Sequence, residues 1–513
     1  MKRGWLMALL LAGGTMTAAP VGGAEHSEKG KIMEKQISDE FRTELAPVAP
    51  YDRGAPRING PDIYGASPER DLLYLVPVVG ERPLSFRAEG LPPGLELDET
   101  AGILRGRAAA GRYAVKLRVE NRLGAAEKVL KLAIAENALA LTPPLGWNSW
   151  NCFRSEIDDA KIRAIAAGMV ESGLAARGYG YVNLDSGWQS KERGGPFNAI
   201  VPHEGFPDMK GLCDYLHSLG LKAGIYSSPY VNPWGTAGRG CTDGPCDTTV
   251  PLYKDRIVGL KKYEAEDARQ WAAWGFDYLK YDWVAVDMIH TERMSRALRE
   301  SGRDLVLSLA TRLDIANAPK AVGLAQAYRS NGDTSPLWRS IAENGFGNDA
   351  WNPWIGPGHW FDLDMLATQD RDGQSLTEDE LVTHITCWMI RPTPILIDCD
   401  PRRMSETLKR LLCNEEVLAV NQDALGLPSV NVCRAEKQEI RVKPLADGSL
   451  AVGFFNLGDE PAIVREDNLK NHIGKRFRVR DLWARRDLGL REGDFAATVA
   501  PHGAKLYRVW REE

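Results

Sequence analysis

Between residues 142 and 428 the sequence alternates between strand-like apolar runs and helical patterns, and no other feature constrains the fold as tightly. The apolar runs lie at 145–150, 179–188, 221–229, 277–284, 305–310, 325–333, 359–366 and 393–400. Ile162, Ile165, Ala166, Met169, Val170, Gly173 and Leu174 recur at i, i+3, i+4 spacing, with Ser155 and Asp158 as start signals and Gly178 as a stop. Further helices are predicted at 209–219, 264–274, 288–301, 376–390 and 403–413. Strands and helices in this alternation predict an α/β fold, a (β/α)8 TIM barrel. The alternative is an open doubly wound sheet, but no Gly-rich dinucleotide fingerprint follows the first strand.

A chain of 513 residues exceeds one compact core, and its texture divides accordingly. Residues 1–24 have the shape of a secretory signal peptide: Lys2 and Arg3, an apolar run over 5–12, then small residues to Ala24. Residues 25–55 are polar and read as a linker or extended arm. Residues 56–138 carry short alternating runs and turn signals, which predict a small β-sandwich. Its Gly90-Leu-Pro-Pro-Gly-Leu-Glu-Leu-Asp98 segment, followed by Gly102-Ile-Leu-Arg-Gly106, resembles immunoglobulin-like modules appended to secreted enzymes. The barrel is assigned to 139–428, and a C-terminal antiparallel β-sandwich to 429–513.

The net charge of −5 leaves no basic stripe for nucleic acid. No apolar segment is long enough to span a bilayer. Export to the periplasm or the medium is the expectation. Nothing in the sequence speaks to oligomeric state. Eight cysteines suit an oxidising compartment, and Cys241 and Cys246 are placed to close a local bridge. No second Cys pair or His pair stands at metal-ligand spacing, so neither a metal nor a cofactor is expected.

In a barrel the chemistry belongs at the strand C-termini. Period-2 alternation puts Lys280 and Asp282 on one face and Leu279 and Tyr281 on the other. A carboxylate beside an ammonium is expected to stay ionised at neutral pH, which suits a nucleophile. The same pair could also serve as a buried ion pair closing a barrel layer. The other strands end in Trp150, in Asp185, Ser186 and Trp188, in Tyr226, in Arg329 and Asp333, and in Asp364 and Met365. Glycoside hydrolysis needs two carboxyl groups, about 5–5.5 Å apart for retention and about 6.5–9.5 Å for inversion. Asp282 and Asp333 come from strands four and six, and strand spacing alone allows either distance. Asp333 is expected as acid/base, its pKa raised once Asp282 is charged nearby. An Asx turn capping the next helix is its alternative reading.

These residues lie within longer motifs. Thr142-Pro-Pro-Leu-Gly-Trp-Asn-Ser-Trp-Asn151, Asp277-Tyr-Leu-Lys-Tyr-Asp282, Gly356-Pro-Gly-His-Trp-Phe-Asp-Leu-Asp-Met-Leu366 and Ala419-Val-Asn-Gln-Asp423 resemble glycoside hydrolase family 27. That is the α-galactosidase and α-N-acetylgalactosaminidase family. The resemblance implies a (β/α)8 barrel with an antiparallel β domain and a retaining, metal-free mechanism. It makes Asp282 the nucleophile and Asp333 the acid/base. It implies sugar contacts from Trp150, Asp185, Tyr226, Lys280 and Arg329, with a floor from Asp364 and Met365. Ser186 and Trp188 are placed in the same binding set. The chain departs from the family where strand two ends Asp185-Ser-Gly-Trp188 rather than Asp-Asp-Cys-Trp. It departs again where strand four continues Trp283-Val284, and where strand five ends Ser308-Leu-Ala-Thr-Arg312. The expected activity is release of terminal α-D-galactosyl units. The alternatives are a β-L-arabinopyranoside or α-N-acetylgalactosaminide substrate, a non-catalytic carbohydrate-binding barrel, and a metal-dependent hydrolase using His359, Asp362 and Asp364.

Overall fold

Eight parallel strands make the centre of the molecule: β1 (Leu145–Asn148), β2 (Tyr181–Asn183), β3 (Lys222–Ser227), β4 (Tyr278–Asp282), β5 (Val306–Arg312), β6 (Ala327–Arg329), β7 (Trp360–Asp362) and β8 (Ile395–Ile397). The computed structural model describes residues 38–250, 253–369, 373–433 and 435–512, so the signal segment lies outside the described residues. The strands run in the order β7-β6-β5-β4-β3-β2-β1-β8, and a parallel bridge between Leu366 and Ile397 joins the two ends. This is the expected barrel. The helices Asp159–Glu171, Met209–Ser218, Glu264–Trp274, Met288–Glu300, Glu378–Ile390 and Glu406–Leu412 fall in the predicted windows. Asp158 caps the first of them by accepting from the Lys161 amide. That helix stops at Glu171, short of Gly178, because Gly173 takes a left-handed φ of 80°.

The alternation in β4 positions the site. Leu279 and Tyr281 are fully buried in the large core under the helices, while Tyr278 packs inside the barrel with Met365, Val306 and Leu396. Each fully buried aliphatic side chain in that core stabilises by about 1.5–3 kcal/mol. Lys280 and Asp282 share the inner face with Tyr278, and the parallel register sets Lys280 beside Tyr226 on β3 and Ser308 on β5.

Upstream of the barrel, a four-stranded sheet (Ile63–Ala66, Gly124–Ile134, Gly111–Asn121, Ser85–Glu89) and a three-stranded one (Leu72–Leu75, Ile103–Gly106, Leu95–Leu97) share a core of Leu104, Val115, Leu117 and Leu130. They meet the barrel at the N-terminal ends of its strands. Tyr64 contacts Lys222 at the start of β3, and the Ser67 amide donates to Asp304, just before β5, at 2.7 Å. A cleft of about 120 Å³ opens at this junction, lined by Tyr64, Leu72, Tyr74, Leu141, Tyr181 and Lys222, at the end of the barrel away from Asp282 and Asp333.

Downstream, a six-stranded antiparallel sheet from Val430 to Arg511 packs with the pair Ala462–Val464 and Ala497–Val499. Its strand Arg486–Glu492 is charged and mostly exposed, so no apolar alternation announces it. Phe455, Leu482, Trp483 and Leu506 extend the barrel core into this sheet, and Trp483 Nε1 donates to Thr386 Oγ1 at 3.0 Å. Residues 40–55 run as an arm: Ala46 donates to Trp483 O at 2.9 Å, and Ala49 O accepts from Arg177 at 3.0 Å.

Cys241 and Cys246 are both free thiols, so the expected local bridge is not formed. Cys246 ends the strand Thr242–Cys246 that Cys241 immediately precedes. Cys241 is fully buried and meets Ser227 Oγ at 3.1 Å.

Candidate active site

Seven of the eleven residues singled out from the sequence form one connected set at the C-terminal ends of the strands. The Lys280 ammonium lies 2.6 Å from Asp185 Oδ2, with the Asp185 side chain 3% exposed. Tyr226 donates its hydroxyl to Asp282 Oδ2 at 2.9 Å. Arg329 bridges two carboxylates, Asp333 at 2.8 Å and Asp364 at 3.1 Å. Asp364 sits at a φ of 75°, a strained setting for a non-glycine residue. It is pinned there by the Thr334 amide on its Oδ2 (2.7 Å) and by Trp388 Nε1 on its carbonyl (2.9 Å).

Trp150 follows β1 and completes the wall. Gly235, at a φ of 71°, lies against its ring where a β-carbon would not fit. Met365 packs beneath, inside the barrel. The outer oxygen of Asp282, Oδ1, is buried and has no hydrogen-bond partner among the described residues. Asp333 stands at the mouth with its side chain 85% exposed.

The electrostatics reverse the order expected from the sequence. Burial pushes the Asp282 carboxyl up to about 7, against the opposing pull of Lys280; Asp333 adds to the rise and the Tyr226 hydrogen bond resists it. The Lys280 ammonium is engaged with Asp185, so it acts on Asp282 only through space. Burial works against the charge on Lys280, but Asp185, Asp282 and Asp364 together raise its pKa and keep it protonated. Arg329 holds Asp333 below the usual carboxylate range, where a raised value had been expected. Asp362, just behind Asp364, is pushed by burial to about 6.

Two predicted contacts are made differently. Trp188 is fully buried in the core, donating Nε1 to Tyr226 O at 2.9 Å and meeting Trp274 edge-on at 6.1 Å. The chain turns at Gly187 (φ 123°), which carries the Trp188 ring to the helix side of the sheet and away from the pocket. Ser186 is buried, and its hydroxyl donates to the Trp234 carbonyl. That carbonyl belongs to the long loop after β3, where Trp234 packs on Tyr230 and Tyr253 under the Arg256 guanidinium. Arg312 is exposed at the bulged end of β5, next to Thr311 at a φ of 90°.

Two neighbours of the site escaped the sequence reading. Arg154 lays its guanidinium 5.6 Å from the Trp150 ring centroid, and its charge helps hold Asp333 low. Its spacing of four residues from Trp150 was the available signal. Trp234 had none, since an aperiodic loop does not announce which carbonyl it will present. The metal arrangement is not formed. His359 Nδ1 lies 3.1 Å from the Trp354 carbonyl, and no group of three or more His, Cys, Asp or Glu is arranged to hold a metal among the described residues.

Residues 142–423 match the family described as Alpha galactosidase A, and residues 435–509 match the Alpha galactosidase C-terminal beta sandwich domain. Alpha-galactosidase 2 of Arabidopsis thaliana is 34% identical over 387 residues, covering 74% of this chain and 92% of the plant protein. A solved structure from Bacteroides fragilis superposes with a TM-score of 0.81 at 31% identity over 91% of this chain and 100% of its own. That share is too large for the barrel and C-terminal sheets alone. A family 27 β-L-arabinopyranosidase from Geobacillus stearothermophilus, solved with arabinose, gives 0.63 at 26% identity over 73% of this chain and 98% of its own. The chain belongs to the α-galactosidase family, glycoside hydrolase family 27, and is a glycoside hydrolase.

Proposed function

We propose that the protein is an exported, retaining exo-glycosidase that releases terminal α-D-galactosyl units. The observation that carries the reading is Asp282 Oδ1, buried and without a hydrogen-bond partner among the described residues, while Asp185, Asp333 and Asp364 are each paired with a cation. Asp282 Oδ1 attacks the anomeric carbon as the bond to the leaving oxygen breaks, and Asp333 gives that oxygen its proton. A covalent glycosyl–Asp282 ester results. Asp333, now a carboxylate, takes a proton from water; the water oxygen bonds the anomeric carbon and Asp282 leaves. Asp185, Lys280 and Asp364 offer the hydroxyl-gripping groups, and Trp150 offers an aromatic face. Export rests on Lys2, Arg3 and the apolar run that follows them.

The Ser186 contact favours a second substrate. Its hydroxyl is engaged by the Trp234 carbonyl, so one hydroxyl-gripping group is withdrawn from the pocket. A β-L-arabinopyranosyl unit, which has the galactose ring stereochemistry but no C6 hydroxymethyl, asks for one grip fewer. Aryl glycosides varied at C2, C4 and C6 separate the two. Turnover of the α-galactoside with the α-anomer of galactose released first, seen by proton NMR, supports the leading reading. Initial release of the β-anomer rules out retention, and preference for the arabinopyranoside reassigns the substrate.

A further inference from the structure

Three cations, Arg329, Lys280 and Arg154, act on Asp333, and two of them are paired. Lys280 is paired with Asp185 at 2.6 Å, and Arg329 with Asp333 and Asp364 at 2.8 and 3.1 Å. Arg154 has neither a side-chain hydrogen bond nor an ion pair among the described residues, although it is half-buried. Its guanidinium is held by an aromatic face, 5.6 Å from the Trp150 ring centroid, which leaves the N–H groups free.

The backbone is built to hold it there. The short helix Trp150–Phe153 ends when the Arg154 amide donates to Trp150 O at 2.6 Å, with Arg154 at φ 54° and ψ −135°. A non-glycine residue in that region is strained, and such strain persists where the surrounding structure fixes it. The result turns the side chain back over the wall of the sugar pocket. Its charge also acts on Asp333, the carboxylate at the mouth.

A proton donor must face the oxygen that leaves, so groups beside Asp333 face the leaving unit. A guanidinium with its in-plane N–H groups free matches a carboxylate or sulfate in two parallel hydrogen bonds, which a neutral sugar hydroxyl cannot match in strength. We propose that Arg154 is a specificity-determining residue that binds an anionic group, carboxylate or sulfate, on the sugar unit from which the terminal glycosyl residue is cleaved. This rests on the assignment of Asp333 as the proton donor.

The test compares kcat/KM for three α-galactosyl disaccharides whose leaving unit is a neutral hexose, its uronic acid, or its sulfate ester. The comparison is made in the full-length wild type, Arg154→Gln and Arg154→Lys. The wild type is expected to favour an acidic leaving unit, and Arg154→Gln to reduce the acidic-to-neutral ratio about 10- to 100-fold, through KM. Arg154→Lys should retain part of it, and 0.5 M salt should erode it in the wild type. A ratio in Arg154→Gln within twofold of the wild-type value overturns the proposal. If the wild type cleaves none of the three, the galactosidase reading fails. Arg154 is then judged by calorimetry with methyl β-D-glucuronoside: binding at least about tenfold weaker in Arg154→Gln supports it, and equal affinity overturns it.

Discussion

The Lys280 ammonium rests on Asp185 at 2.6 Å rather than on Asp282, two residues further along the same strand. Asp282 therefore keeps one oxygen without a hydrogen-bond partner among the described residues, and its charge is tuned by burial, by Lys280 through space, by Asp333 and by the Tyr226 hydroxyl. The arrangement separates two tasks that a direct Lys280–Asp282 pair would have merged. Asp185 and Lys280 form a fixed polar clamp, and Asp282 stays available for bond formation.

The pH profile follows from the pair and not from either carboxyl alone. With Asp282 pushed to about 7 and Asp333 held below the usual range, the two groups share a single proton between those limits. Turnover needs one ionised and one protonated carboxyl, whichever holds the proton in the free enzyme. Above about pH 7 the shared proton is lost and no acid remains; far below, both are protonated and no nucleophile remains. A plot of kcat/KM against pH should be a bell whose alkaline limb falls near pH 7. A rate still climbing through pH 8 contradicts this.

Tyr226→Phe removes the donor on Asp282 Oδ2. A hydrogen bond to the charged form favours that form, so its loss raises the Asp282 pKa. The alkaline limb should move to higher pH, and kcat/KM at the optimum should fall about 10-fold or more. An unshifted limb would remove Tyr226 from the electrostatics of Asp282.

Arg193 and Asp267 supply a stability test away from the chemistry. The guanidinium grips both Asp267 oxygens, at 2.7 and 3.1 Å, with the Asp267 side chain fully buried and the Ile200 amide also on Oδ1 at 2.9 Å. Arg193 further lies 4.0 Å from the Tyr263 ring centroid. Arg193→Ala strands a buried carboxylate and should destabilise by about 3–5 kcal/mol. Urea unfolding followed by tryptophan fluorescence reads this, and a loss under about 1 kcal/mol would mean that water reaches Asp267.

The barrel was legible because β1 to β8 are near-continuous apolar runs, and the helices between them carry caps such as Asp158. The inward set of β4 was legible for the same reason: alternation alone puts Lys280 with Asp282. What alternation cannot give is which neighbour a side chain chooses. Lys280 reaches Asp185 across the barrel interior, and Ser186 meets a carbonyl 48 residues away in an aperiodic loop. Trp188 belongs by sequence to the binding set, but the turn at Gly187 sends it into the core. The two carboxyl pKa values came out in the reverse order because burial, which sequence does not measure, outweighs a nearby lysine at Asp282. Arg329, four residues before Asp333, holds that exposed carboxyl low.

The most direct measurement is peptide mapping after treatment with a 2-deoxy-2-fluoro galactosyl donor bearing a good leaving group, which slows hydrolysis of a glycosyl ester more than its formation. A single sugar adduct on the peptide containing Asp282, absent from Asp282→Asn, is the predicted result. An adduct on Asp333 or Asp364, or labelling that survives in Asp282→Asn, would contradict the account.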